Sequence, residues 1–398
     1  VTPPVVSAVS IAHSSTGIIC TGDTVTFTAT PSNGGPSPMY QWKVLNQVKT
    51  GDIVVIDRTN DLLWPKENLT LTAFIPKVNN IRIQKKLLPK ELTKDLAFIL
   101  GSMLAEGTLK EKELEFCNSD NIWIAEFEKR WKHVFPDCRL HKFQRKPNSY
   151  GKLPYQTIEI HSQYVISFLK NIGLAPKKSP GRTIPETIFR SPKNVVAAFL
   201  QAYFEGDGSI SKSSKMVELS CISMSEALVK EMQILLLRFG IVGTRRFDKY
   251  RGTHKLYIRG LKNYRLFQEQ IGFFSERKTQ KLKQITENLY KDQSLLDYVP
   301  FLKDYVLQNL DLTLHYDNVR RFIYKHNFDR YSAMQANYPS IVSGVIKTLQ
   351  PEIQLLFKHL LSNNYVFDTI TSVEDGGIEQ VYSIKVDSDC HSFIANGF

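Results

Sequence analysis

Between residues 92 and 273 the apolar positions switch repeatedly between helical and strand spacing, and the whole series occurs twice. In LTKDLAFILGSMLAEGTLK (92–110) the apolar side chains recur every three to four residues, which predicts a helix. ELEFCNS (113–119) alternates and predicts a strand. NIWIAEFEKRWKHVF (121–135) returns to helical spacing. Strands are predicted at 138–146 and 155–162, and a helix at 163–174. The second series has a helix at 191–211, a strand at 216–223 and a helix at 226–240. Strands at 244–250 and 254–260 and a helix at 264–273 complete it. The pattern therefore predicts one α-β-α-β-β-α unit used twice, within a mixed α+β chain.

The flanks differ in pattern. Residues 24–30 (TVTFTAT) alternate strictly, as a half-buried strand does, before a turn cluster at 31–36. Residues 39–44 predict a second strand with Trp42 as its core anchor. A turn at Thr50-Gly51-Asp52 leads into the apolar run 53–56, read as a buried strand. Residues 290–362 read as mainly helical, and 363–398 return to short strands.

Composition narrows the setting. The chain has 398 residues, enough for two or three domains, but the duplication assigns about half of them to one core. Formal net charge is +12, which points to an anionic partner, nucleic acid first. The longest apolar stretches fall well short of the ~20 residues a membrane span needs, so no membrane association is expected. The five cysteines are odd in number, scattered and without a CxxC. That predicts a reducing, intracellular (cytoplasmic) setting with neither a disulfide frame nor a zinc site.

The two leading helices carry the chemistry. Ala97, Gly101 and Ala105 recur every four residues before Glu106; Ala198, Ala202 and Gly206 do the same before Asp207, 101 residues later. Such ridges of small residues let helix backbones approach closely. Packed on these ridges, the helices would bring Glu106 and Asp207 side by side at their C-terminal ends. Like charges there are unfavourable, and a divalent cation such as Mg²⁺ would relieve them. Paired carboxylates with a metal suit phosphodiester hydrolysis. Gly107 and Gly208 are read as the residues that release the chain from each helix.

ILGSMLAEG (99–107) and LQAYFEGDG (200–208) resemble the two dodecapeptide motifs of LAGLIDADG (DOD-type) homing endonucleases, with Glu106 where Asp is commoner. The resemblance covers roughly 84–289, as repeats 92–174 and 191–273. It implies a pseudo-twofold helix interface, metal at Glu106 and Asp207 (Mg²⁺, with Mn²⁺ as substitute), and two antiparallel sheets forming a saddle on double-stranded DNA. It further implies a monomer with internal symmetry. The basic strands fit such a saddle through Lys142, Arg145, Lys146 and Lys152 in the first copy, and Arg245, Arg246, Lys249, Arg251, Lys255 and Arg259 in the second. In the family a lysine after each repeat's last helix assists catalysis. Lys278 takes that place in the second copy, and Lys178 or Arg182 in the first.

Outside this core, ICTGDTVTFTATPSNGG…YQWKV in 1–46 resembles a PKD/Ig-like β-sandwich repeat. VKTGDIVVIDR in 47–83 and VYSIKVDSDCHSFIANGF in 363–398 resemble strands of the intein (Hint) splicing domain. His391 stands at the histidine that assists asparagine cyclisation, and 290–362 form a helical linker module between. No Thr-x-x-His occurs between Cys20 and Gln47, and the run 381–398 stops before the His-Asn in which the intein pattern would end, so splicing is expected to be defective. The readings that compete with an active nuclease are a splicing intein and a DNA-binding protein without cleavage.

Overall fold

The computed structural model describes residues 8–13, 27–32, 49–58, 64–77, 82–147, 153–175, 179–212, 217–288, 298–308, 321, 323–325, 329–330 and 365–373. The chain divides into two compact units, 1–56 with 367–398, and 57–366.

In the first unit β1 (Ala8–His13) pairs antiparallel with β2 (Phe27–Ser32). Of the strand expected at 24–30, residues 27–30 lie in β2, which continues into the predicted turn through Pro31, and residues 24–26 lie outside the described residues. The strand expected around Trp42 lies outside the described residues. β3 (Ile53–Asp57) pairs with β12 (Tyr365–Thr369), and Gly51 N donates to Ile370 O at 2.8 Å. β3 is not buried on both faces as its apolar run implied. Val55 is 50% exposed while Ile56 is buried, so the strand has one covered face.

The second unit holds the duplication. The first copy comprises α1 (Lys94–Glu106), β4 (Gly107–Leu109), β5 (Leu114–Asn118), α2 (Asn121–Val134), β6 (His141–Arg145), β7 (Tyr155–Ile160) and α3 (Gln163–Asn171). After the short α4 (Glu186–Phe189), the second copy follows as α5 (Lys193–Gly206), β8 (Gly208–Lys212), β9 (Val217–Ser223), α6 (Glu226–Leu237), β10 (Gly243–Asp248), β11 (Thr253–Ile258) and α7 (Leu261–Gln270). α8 (Glu276–Asn288) closes the pair. Side-chain caps begin several helices: Thr93 Oγ1 accepts from Leu96 N, Asp120 Oδ1 from Ile122 N, Ser162 Oγ from Val165 N and Ser225 Oγ from Leu228 N. Of the helical module expected at 290–362, the described part includes α9 (Leu302–Gln308).

The repeating unit is α-β-β-α-β-β-α, not α-β-α-β-β-α. The leading helices were expected to run to 110 and 211, yet they stop at Glu106 and Gly206, and β4 and β8 start at once. Thr108 and Leu109 pair with Glu115 and Leu114, and Ser209 and Ile210 pair with Ser220 and Leu219. Cross-strand pairing therefore overrides the helical spacing of these short segments. Each copy forms a four-stranded antiparallel sheet, β4-β5-β7-β6 and β8-β9-β11-β10, with the strand that leaves the motif helix at one edge. One continuous apolar core runs through both copies, including Phe98, Phe116, Phe127 and Trp131 of the first and Phe199, Phe204, Phe239 and Phe267 of the second.

α1 and α5 pack directly on one another through their ridges. A Cβ placed on Gly101 would fall 2.3 Å from the Phe199 carbonyl oxygen and 3.0 Å from Ala202 Cβ. One placed on Gly206 would fall 2.7 Å from Ala105 Cβ and 3.2 Å from Glu106 Cγ. Gly101 faces Ala202 and Ala105 faces Gly206, which are mutually equivalent positions of the two motifs. Ala97 is buried and Ala198 half-buried on the same helices. Gly107 and Gly208, expected to release the chain from each helix, are required there for space and not for a left-handed backbone. Gly107 has φ −95°, ordinary extended backbone, and is needed because a Cβ would sit 2.5 Å from the Met103 carbonyl oxygen. Gly208 stands likewise 2.2 Å from Phe204 O.

Gly101→Ala should therefore destabilise the protein by about 1–3 kcal/mol in urea denaturation, because the facing group is backbone and the helices must separate. A denaturation midpoint equal to wild type would show that the helices have room between them.

Candidate active site

The helix contact delivers the two acids. Glu106 is the last residue of α1 and Asp207 is the residue that caps α5. Burial pushes the Glu106 carboxyl above its ordinary value, while the charges of Lys278 and Arg182 oppose the rise. Asp207 is pushed up to about 7, first by burial and then by the Glu106 charge, with the Tyr203 hydroxyl, Arg182 and Lys278 pulling the other way. The Tyr203 phenol is itself fully buried and held well above its usual range by the same environment. Two acids and two cations thus share one site.

The cations sit at matching places. Lys278 Nζ donates to the carbonyl oxygens of Phe204 (3.2 Å), Glu205 and Gly208 (2.8 Å), covering the C-terminal end of α5. Arg182 donates through Nη1 to Leu104 O (2.8 Å) and through Nη2 to Gly107 O (3.3 Å), covering the end of α1. Leu104 and Gly107 are the counterparts of Glu205 and Gly208, so Arg182 is the first copy's equivalent of Lys278. Lys178, the other candidate for that place, lies outside the described residues, as do Lys152 and His391. Positive charge at the open carbonyls of a helix end is electrostatically favourable, which fixes both side chains at the acids.

The basic strands divide by face, because paired strand residues share a face and neighbours alternate. Arg246 pairs with Lys255 on the outer face of the second sheet, beside Tyr257 and Arg259. Lys255 and Arg259 lie over the Tyr257 ring at 4.6 and 4.5 Å and share Glu218 at 2.6 and 3.5 Å. Arg145 lies on the corresponding face of the first sheet, 2.7 Å from Glu159 and over Phe143. Lys249 and Arg251 are exposed in the β10–β11 turn, and Lys146 is exposed just after β6.

Two of the expected DNA contacts are on the wrong face. Lys142 pairs with buried Ile158 and reaches Glu128 of α2 at 2.7 Å. Arg245 pairs with buried Leu256, and its Nε donates to Gln233 of α6 at 2.8 Å. They are equivalent positions, and each ties an edge strand to the helix behind its sheet.

Part of the chain matches a known family. Residues 194–272 match the family described as LAGLIDADG-like domain. The match starts within α5 and takes in Asp207, the second sheet and α7. Among curated proteins, the chain is 28% identical over 367 residues to the DNA gyrase A protein of Mycolicibacterium flavescens, covering 92% of this chain and 60% of that one. It is 27% identical over 316 residues to a glutamine–fructose-6-phosphate aminotransferase of Methanocaldococcus jannaschii, covering 77% of this chain and 27% of that one. The chain thus spans about three fifths of the gyrase relative's length. A solved structure of I-DmoI in complex with DNA and Mn aligns with 14% identity and a TM-score of 0.34, covering 46% of this chain and 98% of that one.

The site also includes residues that sequence reasoning missed. Glu205 is buried, accepts from the backbone N–H groups of Phe274 (2.8 Å) and Ser275 (3.0 Å), and lies 3.9 Å from Lys278 Nζ. It anchors the segment that delivers Lys278. An acid between an apolar helix and the motif glycine was the available signal, since a buried charge requires partners. Ser225, whose Oγ donates to Arg182 O at 2.6 Å, supports the other cation and carried no such signal. Among the described residues Cys117, Cys138 and Cys221 are free thiols, and no helix is long and apolar enough to cross a membrane.

Asp207 holds a proton in the folded state that the unfolded chain releases near the ordinary carboxylate value. Metal-free protein should therefore lose stability as pH rises from about 4 to 7, with little further loss above. Thermal melts in chelator should show this slope, and Asp207→Asn should remove it. Glu106→Gln should lower the Asp207 titration midpoint, read by carboxyl NMR; an unchanged midpoint would separate the two acids.

Proposed function

We propose that the second unit is a site-specific endonuclease that hydrolyses both strands of duplex DNA, working as a pseudo-symmetric monomer carried within an intein-like element. The observation that carries this reading is the meeting of Glu106 and Asp207 at the ends of two interlocked helices, each end held by a cation, with a basic sheet leaving from each. The pairing of β3 with β12 supports the insertion. The strands that flank the duplicated unit in sequence belong together, and the unit between them is a separate body. So does the similarity to both a gyrase and an aminotransferase. A segment shared by proteins of unrelated names is more simply an inserted module than part of either activity.

The residues fit a divalent metal. Among the described residues no group of three or more His, Cys, Asp or Glu forms a closed cage. Two half-buried carboxylates, both raised above their ordinary range, match Mg²⁺, which keeps waters and shares its site with substrate phosphate. Mn²⁺ suits the same oxygen donors. Bound there, the metal would activate water and stabilise charge on the phosphate. Glu106 and Asp207 would hold it. Lys278 and Arg182 keep the helix ends positive and lower the cost of ionising both acids. Arg246, Lys255, Arg259 and Arg145 would meet the phosphates or guanine edges of DNA on the outer sheet faces, with Tyr257 packed among them. Arg182 stays charged throughout, whereas Lys278 is drawn below its usual range by burial, so the half-sites differ chemically.

Selection of a cleaved site from a random DNA library in Mg²⁺ should yield an asymmetric sequence cut in both strands. Glu106→Gln with Asp207→Asn should abolish cutting while leaving binding measurable. Cutting by that double variant would overturn the site assignment. Tight binding without cutting by the wild type would make the chain a DNA-binding protein only.

A further inference from the structure

A cleft of about 680 Å³ at the end of the first sheet has no part in the site above. It is lined by Arg82, Lys86, Lys112 and Arg139, with His141, His161, Ser162 and Gln163 beside them, and by no carboxylate among the described lining residues. Arg82, Lys112, Arg139 and both histidines are exposed. The segment 82–86 approaches from before α1, and Lys112 comes from the turn between β4 and β5. Arg139 and His141 enter with β6, and His161 leaves with β7. The two imidazoles lie 5.5 Å apart, and His161 Nε2 is 3.7 Å from Glu159. Leu87 N is bonded to Asp137 at 3.1 Å, which holds the 82–87 segment against the start of β6.

A second feature of the cleft also favours an anion. Ser162 and Gln163, which line the cleft, form the N-terminus of α3, where the Ser162 hydroxyl accepts from Val165 N. A helix N-terminus with several cations grouped around it is a phosphate-binding arrangement.

Among the described residues the second copy lacks this set of cations. Arg139, His141, His161 and Ser162 correspond to Val242, Thr244, Arg259 and Gly260, and Val242 is buried. Among the described residues the cation cluster is thus a feature of the first copy, and it lies at the end of the first sheet whose outer face carries His141 and Arg145.

We propose that this cleft binds the phosphate backbone of duplex DNA that continues past the first sheet, so that the contact with DNA is longer on the first copy's side. This rests on the DNA-binding reading of the sheets. Backbone contact needs no base recognition, so it can be tested on a random-sequence duplex of about 40 base pairs. The slope of log affinity against log salt falls by about 0.9 for each phosphate that the protein ceases to neutralise. The variant Arg82→Gln, Lys112→Gln, Arg139→Gln should lower that slope by roughly 2–3. It should also remove hydroxyl-radical protection at one end of the footprint on the selected site. Exposed substitutions of this kind should leave the melting temperature near wild type.

The control variant Arg246→Gln, Lys255→Gln reports the outer sheet face. If it lowers the slope and the cleft variant does not, the cleft proposal fails while the DNA reading stands. If the wild type binds no duplex, both fail. Titration with inorganic phosphate and pyrophosphate distinguishes the other source of the same chemistry. Saturable binding of these at the cleft without a DNA effect would make it a small-anion site and overturn the proposal.

Discussion

The close approach of α1 and α5 is the constraint on which the rest depends. It exists because Gly101 and Gly206 present bare backbone to Phe199, Ala202 and Ala105. Helices separated by larger side chains would keep their last acids apart. Here the ridges force Glu106 and Asp207 together; burial raises both carboxyls, and the Glu106 charge raises Asp207 further. The same contact aligns two helix C-termini, adding negative partial charge to a site already short of positive charge. Lys278 and Arg182 answer that need at both ends, and they act on both acids at once.

The near-symmetry is therefore enforced by electrostatics as well as by packing. Whichever cation serves a helix end must reach a carbonyl in the helix's last turn and the first carbonyl of β4 or β8. Lys278 reaches them from α8, and Arg182 from the connection between the two copies. Their routes differ, but the acceptor atoms are equivalent. A guanidinium satisfies the geometry as well as an ammonium does, which is why the fold tolerates the exchange. Proton chemistry does not tolerate it in the same way, since arginine remains charged. The fold is symmetric where packing decides and asymmetric where chemistry can differ.

Much of this is legible in sequence. The duplicated helical and strand spacing locates most elements to within a few residues, and the small-residue ridges identify the helix contact and its acids. The failures share a cause. Gly-Thr-Leu and Gly-Ser-Ile-Ser are too short to carry a period of their own, so their spacing merges with that of the preceding helices. Only pairing with β5 and β9 makes them strands. Glu205 shows locally only as an acid between an apolar helix and a glycine, a sign that it needs partners but not which, because Phe274 N, Ser275 N and Lys278 lie about 70 residues away, a distance no local pattern spans. The choice between Arg182 and Lys178 stays open in sequence for the same reason, and the described contacts place Arg182 at the equivalent carbonyls.

The basic strands show how far net charge can be carried as an argument. A formal +12 points to nucleic acid, and clusters of lysine and arginine in both copies locate the expected surface. Strand alternation then divides that surface. Lys142 and Arg245 face the helices behind the sheets, where Glu128 and Gln233 hold them. On the outer faces Glu159 and Glu218 pair with Arg145, Lys255 and Arg259, so DNA would have to compete with carboxylates already in place. Such competition lowers non-specific attraction more than it lowers binding to a site whose base edges replace what the acids supplied. Charge is thus partly neutralised on the outer sheet faces, whereas the described lining of the cleft beyond the first sheet holds cations and no carboxylate. That division separates recognition from simple attraction. On the DNA-binding reading, the sheets discriminate sequence, and the surplus positive charge lies where only backbone would pass.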